Sequence, residues 1–248
     1  MPVHKPFKRT CRQLADGSYQ TGGHGNYVRH PQFAIAPTQY IRAFEIVQKD
    51  LLELFDYVEP ADINRACYSY RIHELHMRAC IEIEANFKAI LAENGYARPN
   101  EWNMSDYKKL DATHHLSSYQ VRLPNWHGLE HTRTPFAEWR NNDPLPWYQA
   151  YNAAKHSRHE NFAQSNFRNL IDSVFALVAV LSSQFLTDDF GQSYLVTESG
   201  AGDGFEYAIG GFFQVKFPDN WPAEERYSFN WQLLRNDPNP IQALTIAP

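Results

Sequence analysis

The window Trp147-Tyr-Gln-Ala-Tyr-Asn-Ala-Ala-Lys-His-Ser-Arg-His-Glu-Asn-Phe gathers the residues of this chain best placed to do chemistry. On a helix, Asn152 and His156 stand one turn apart on one face, and Tyr151 and Lys155 stand on the adjoining face. Arg158 and His159 follow half a turn later. An imidazole beside a cation and a carboxamide can cleave RNA without a metal. The histidine exchanges a proton with the 2'-hydroxyl or the leaving oxygen, and Lys or Arg stabilises charge on the phosphorane. The same strip is also what a solvated helix face presents, with His156 bonded to a neighbouring helix.

Other candidates are poorer. His127 and His131, with Glu130 between, have the spacing of two metal ligands, but they lie in a Pro-rich stretch and lack the His-Glu-x-x-His order. The adjacent His114 and His115 point apart in any regular structure. Gly22-Gly-His-Gly and Gly200-Ala-Gly-Asp-Gly lack the Lys-Ser/Thr of a phosphate loop and read as turns. The three cysteines, Cys11, Cys67 and Cys80, form no C-x-x-C pair and read as free thiols. No metal or cofactor is expected from these patterns.

The elements that must position the strip are largely helical. Tyr40, Ile41, Phe44, Val47, Leu51, Leu54 and Phe55 recur at three- and four-residue steps, which predicts a helix from Pro37, with Thr38 as N-cap, ending before Pro60. A second helix is expected from about Asp62 to Asn94-Gly95, with Ala66, Tyr70, Leu75, Ala79, Ile83, Phe87, Ile90 and Leu91 on its apolar stripe. On it, Glu74, Arg78 and Glu82 are spaced for a ladder of ion pairs, or a glutamate reaches across to Lys155 or Arg158. Residues 96–145, rich in proline and containing Trp102, Trp126 and Trp139, predict short helices and ordered loops. From Pro146 the pattern predicts two helices, or one bent helix, meeting near residues 160–165; the second, through Phe167 to Phe185, is apolar on most sides and should be central to a bundle.

The flanks differ. Residues 1–36 carry several glycines without an apolar period and predict an irregular arm. Its Lys5, Lys8, Arg9 and Arg12, with Tyr19, Tyr27 and Arg29, could follow a phosphate backbone, strap a partner or simply be surface. Residues 190–248 predict a small β extension packed on the helical part, residues 37–189, with strand-like alternation at Phe205–Ile209, Phe212–Phe217 and Tyr227–Trp231. Its Phe212, Phe213, Trp221 and Trp231 are expected to be exposed and able to anchor a partner.

Composition bounds the function classes. The 248 residues are 43% hydrophobic and 21% charged, which excludes disorder and supplies one globular core or two modest ones. Twenty-three Lys+Arg against 28 Asp+Glu give a formal charge of -5, so any contact with nucleic acid or membrane must be local. The longest apolar stretch, Val174 to Leu181, is far below the ~20 residues of a membrane span. The basic run from Met1 to Arg9 leads into no apolar segment, so the cytoplasm is the expected compartment.

Tyr151-Asn-Ala-Ala-Lys-His156 on a helix leading into the apolar helix 167–185, preceded by a long helix carrying Ile81-Glu-Ile-Glu-Ala-Asn86, resembles the HEPN superfamily (higher eukaryote and prokaryote nucleotide-binding) over residues 40–187. The resemblance implies a mainly α, HEPN-like bundle, often dimeric. Many members are metal-independent endoribonucleases in bacterial toxin-antitoxin, abortive-infection (phage defence) or CRISPR systems. The family's mark is Arg, a polar residue, three further residues and His. Here the polar residue falls on Asn152 and the His on His156, while Tyr151 takes the Arg position. The resemblance therefore implies His156 as acid/base, Asn152 orienting it, and Lys155 or Arg158 on the scissile phosphate, with Tyr151 at the substrate. Arg71-Ile-His-Glu-Leu-His76 repeats the Arg-to-His spacing, and Arg71 or Arg78 would restore the missing cation if the helices packed antiparallel. Expected partners are RNA and a second copy or partner protein. The alternatives are a non-cleaving HEPN-like binder, favoured by Tyr151, and a scaffold subunit.

Overall fold

The computed structural model describes residues 2–19, 24–97, 100–191 and 202–246. Gly22, Gly23, Gly200 and Ala201, parts of the two glycine loops, lie outside the described residues.

Helix α1 spans Pro37–Phe55. It starts two residues earlier than a Thr38 cap would require: Ala36 turns left-handed at φ 48° and Pro37, pre-set for helical φ, occupies the first turn. Ile41, Phe44, Val47, Leu51 and Leu54 are buried. Helix α2, Tyr70–Glu93, starts later than Asp62, because Asp62–Asn64 forms a separate 3-10 turn and Ser69 caps α2 by accepting from the Ile72 amide at 3.2 Å. It stops at Asn94-Gly95, where Gly95 takes φ +74° and the Tyr96 amide reaches back to the Leu91 carbonyl at 3.0 Å. Short helices α3 (Met104–Lys108) and α4 (Asp111–His114) follow. The window of interest forms α5 (Pro146–His156) and the single turn α6 (Arg158–Asn161), and a 3-10 turn at Phe162–Gln164 leads to α7, Phe167–Phe185.

α7 is buried nearly all round: the side chains from Leu170 to Phe185 are enclosed, with Asp172 half-buried. It packs chiefly against α2, with α1 and α5 also against it. Each fully enclosed Leu, Ile, Val or Phe there stabilises the fold by roughly 1.5–3 kcal/mol. A mainly α chain is thus what the apolar periodicity produces.

A four-stranded antiparallel sheet completes the architecture, in the order β2-β1-β4-β3. Strands β1 (Gln120–Arg122) and β2 (Thr132–Arg133) come from the proline-rich middle, and β3 (Glu206–Tyr207) and β4 (Gln214–Lys216) from the C-terminal part. Val121 pairs with Val215, and both are buried. Tyr227–Trp231 is not a strand. Tyr227 makes single parallel bridges to Val3 and Leu14, and Trp231 opens α8, Trp231–Leu234.

Two expectations about the flanks change. Phe213, Trp221 and Trp231 are buried and Phe212 half-buried, so they offer no exposed aromatic anchors. The Trp221 ring stacks on His115 with centroids 3.9 Å apart, and Trp231 meets Tyr27 edge-on. Arg9 and Arg12 of the first segment turn inward, while Lys5 and Lys8 are half-buried and Arg29 is exposed. Arg9, fully buried at φ 51°, donates to Glu93 (2.5 Å), Gln184 Oε1 (2.9 Å) and the Ile35 carbonyl (2.7 Å). Arg12 is buried beside the rings of Phe7 and Trp221. These guanidiniums hold the fold and are not free to follow a phosphate backbone.

Candidate functional site

α5 divides its residues by depth. Trp147, Tyr148, Ala150, Tyr151 and Ala154 are buried, Asn152 is half-buried, and Lys155 and His156 are exposed in the last turn, where cations complement the helix dipole. Arg158, His159 and Glu160 continue the exposed face through α6. The side chains of His156 and Asn152 make no hydrogen bond or ion pair to any described residue, so the bonding capacity of a carboxamide and an imidazole one turn apart is unused.

Tyr151, which fills the position of the pattern's Arg, is 2% exposed and packs on Tyr148. Its hydroxyl accepts from Lys155 Nζ at 3.2 Å, and that bond pushes the Lys155 pKa up, keeping the ammonium charged. Arg158 places its guanidinium 5.9 Å from the centre of the Tyr70 ring. Arg71 and Arg78 do not restore a cation at His156: both pair with Asp50 on α1, and Arg71 also donates to Glu74 at 3.1 Å. The Glu74–Arg78–Glu82 ladder is therefore not formed. Glu84 accepts from the Tyr148 hydroxyl at 2.8 Å, which ties α2 to α5.

Beneath the exposed strip lies a second histidine, His76. Its Nε2–H donates to the Trp147 carbonyl (3.0 Å), which leaves Nδ1 to accept from the Ser165 hydroxyl (2.7 Å). Burial lowers its pKa to about 4, so it is a neutral structural clamp between α2, the start of α5 and the turn before α7. His73, one turn earlier, is also pushed down, by burial first and by Arg158 second. Its Nδ1 is buried without a hydrogen-bond partner, and its ring meets Phe162 with centroids 5.6 Å apart.

Compared with known proteins, the chain matches no family model, no curated protein and no solved structure.

Sequence reasoning overlooked two features. Around Phe162, Tyr68 and Tyr70 gather with His73, although Tyr68 is 52% and Tyr70 70% exposed. Their clustering depends on α2 meeting the turn after α6, a non-local event; the only local signal was two tyrosines at alternate positions before an apolar run. The second is a cavity of about 450 Å³ beside β2 and the first turns of α5 and α7, walled by Glu130, Arg133, Trp147, Arg168 and Asp172 among others. Arg133 donates to Asp172 at 2.6 Å and lies over the Trp126 ring, Arg168 approaches Asp172 at 3.8 Å, and Arg65 pairs with Glu130. Burial pushes the Asp172 carboxyl up, and the Arg133 guanidinium opposes it. Arg133 Nη2 and Glu130 Oε2 stand 3.6 Å apart, both buried and neither hydrogen-bonded, while the other charges pair, so the cavity wall braces sheet against helices.

His127 and His131 do not converge: His127 meets Glu59 at 3.1 Å, and the His131 ring bonds to the Leu129 carbonyl. Among the described residues no group of three or more His, Cys, Asp or Glu is placed to hold a metal ion, and no helix is long and apolar enough to cross a membrane.

Proposed function

We propose that this chain is a HEPN-like RNA-binding protein whose site is the exposed end of α5 and α6, of the kind that serves bacterial defence or toxin-antitoxin systems. The observation that carries the reading is the unpartnered Asn152–His156 pair flanked by the exposed cations Lys155 and Arg158. An imidazole open to solvent can take a proton from a ribose 2'-hydroxyl or return one to a leaving 5'-oxygen. Lys155 and Arg158 are the groups to bind phosphate on either side, so metal-independent cleavage is the chemistry these residues would support.

A second reading has its own observation. Tyr151 is enclosed and supplies no cation beside His156, and a phosphorane without that charge is less stabilised. This favours an RNA binder that does not cleave.

Incubating the pure protein with mixed-sequence RNA in excess EDTA, beside His156→Ala, separates the two. Cleavage that falls at least 100-fold in His156→Ala supports the nuclease. Binding of intact RNA by both proteins supports the binder. If RNA is neither bound nor cut, the proposal fails.

A further inference from the structure

Tyr68, Tyr70 and Phe162 form an aromatic shelf beside the proposed RNA site, and the fold holds it in place. The Phe167 amide donates to the Cys67 carbonyl (2.8 Å) and the Arg168 amide to the Arg65 carbonyl (3.0 Å), fixing residues 65–67 to the start of α7. Ser69 caps α2 between the two tyrosines. The turn at Phe162–Gln164 is pinned from the other side, because Ser165 is bonded to buried His76. Phe162 lies 4.7 Å from Tyr70 at an interplanar angle of 39° and 5.6 Å from Tyr68 at 87°.

Both tyrosines leave much of their surface in water, as Tyr57 does at 87%, but here an anchored support holds them. A tyrosine kept for packing buries its ring, as Tyr107, Tyr119 and Tyr151 do here. Tyr70 and Tyr68 instead present theirs on an anchored support. Exposed rings held rigidly lose little entropy when a flat ligand stacks on them. The charges on this edge are Arg158 against Tyr70, with Lys155, His156 and His159 beyond it on α5 and α6; Glu160, which meets His159 at 3.5 Å, and Glu74, held by Arg71, are the nearby acids. A ligand that suits both halves is flat and apolar on its face and carries negative charge along its length.

We infer that Tyr70 and Tyr68 are a stacking platform for unpaired bases of single-stranded RNA, whose phosphates run along Arg158 and Lys155. This rests on the RNA-binding reading and deepens it: it names single-stranded RNA as the substrate class, because bases within a duplex offer no free face. The platform binds and positions; it takes no part in proton transfer.

The test uses the full chain and a short single-stranded RNA carrying 2-aminopurine, with binding followed by anisotropy and stacking by quenching of the base. Wild type is expected to bind and quench. Tyr70→Leu, which keeps apolar bulk and loses the π-face, should bind on the order of 5- to 100-fold more weakly and lose the quenching. Tyr70→Trp should bind at least as tightly as wild type, which also guards against a folding defect, and duplex RNA should compete poorly. Unchanged affinity and quenching in both Tyr70→Leu and Tyr68→Leu, or equal competition by duplex, would overturn the platform while leaving RNA binding intact. No RNA binding by wild type would overturn both the platform and the reading beneath it.

Discussion

His76 and His114 are buried without charge, and each makes a demand on pH. His114 donates to the Arg9 carbonyl at 3.1 Å and accepts from the Thr113 hydroxyl at 2.9 Å, and burial lowers its pKa to about 4, as for His76. In the unfolded chain both rings take up a proton near pH 6.5, while in the folded chain they resist until about 4. The unfolded state thus binds more protons in that window, and stability falls as pH drops through it, by on the order of 3 kcal/mol per histidine. Urea unfolding at pH 7.5 and 4.5 should show the loss, and His76→Gln, which can keep both hydrogen bonds, should reduce it by about 2–3 kcal/mol. An equal loss in the variant would mean that His76 is protonated in the folded protein. Arg133 and Asp172 make the opposite kind of pair, charged and nearly enclosed at 10% and 16% side-chain exposure. Arg133→Met removes the partner and leaves a buried carboxylate, at a cost of about 3–5 kcal/mol read in thermal melts. A melt unchanged from wild type would show that the cavity wall does not depend on that pair.

Between elements, Gly128 shows how close packing selects a residue. It holds φ +134°, and a Cβ there would stand 2.3 Å from the Asp62 carboxyl group, which accepts from the Trp126 indole and the Leu129 amide at 2.8 and 2.9 Å. Gly128→Ala should destabilise the protein by about 1–3 kcal/mol through strain and loss of that clamp, with a lower melting midpoint as the readout. Nothing in the sequence marks Gly128, because its constraint comes from a residue far along the chain. The long helices were legible for the opposite reason. The stripes of α1, α2 and α7 are local patterns, and the cap at Asn94-Gly95 follows from residues side by side. His156, Asn152, Lys155 and Arg158 were legible too, being neighbours on one element. Tyr70 and Phe162, the charge network around Arg133, and the inward turn of Phe213, Trp221 and Trp231 were not: each depends on which surface an element meets, and alternation of aromatic residues does not say whether the alternate face is water or another helix.

Across the whole molecule, distant parts of the sequence close on one another. The sheet takes two strands from the middle of the chain and two from its C-terminal part. Arg9 is held by groups from three later segments, at Ile35, Glu93 and Gln184. The Tyr227 hydroxyl accepts from the Phe7 amide and donates to the Thr10 carbonyl, and Phe7 also bridges to Gln242. On a ribosome, residues 3–14 emerge long before their bridging partners at Tyr227 and Gln242 are made. At roughly 5–20 residues per second, that wait is on the order of tens of seconds. During it Phe7, Cys11 and Leu14 have no partner from those late residues, and the nascent chain offers a chaperone an apolar segment that the finished protein conceals.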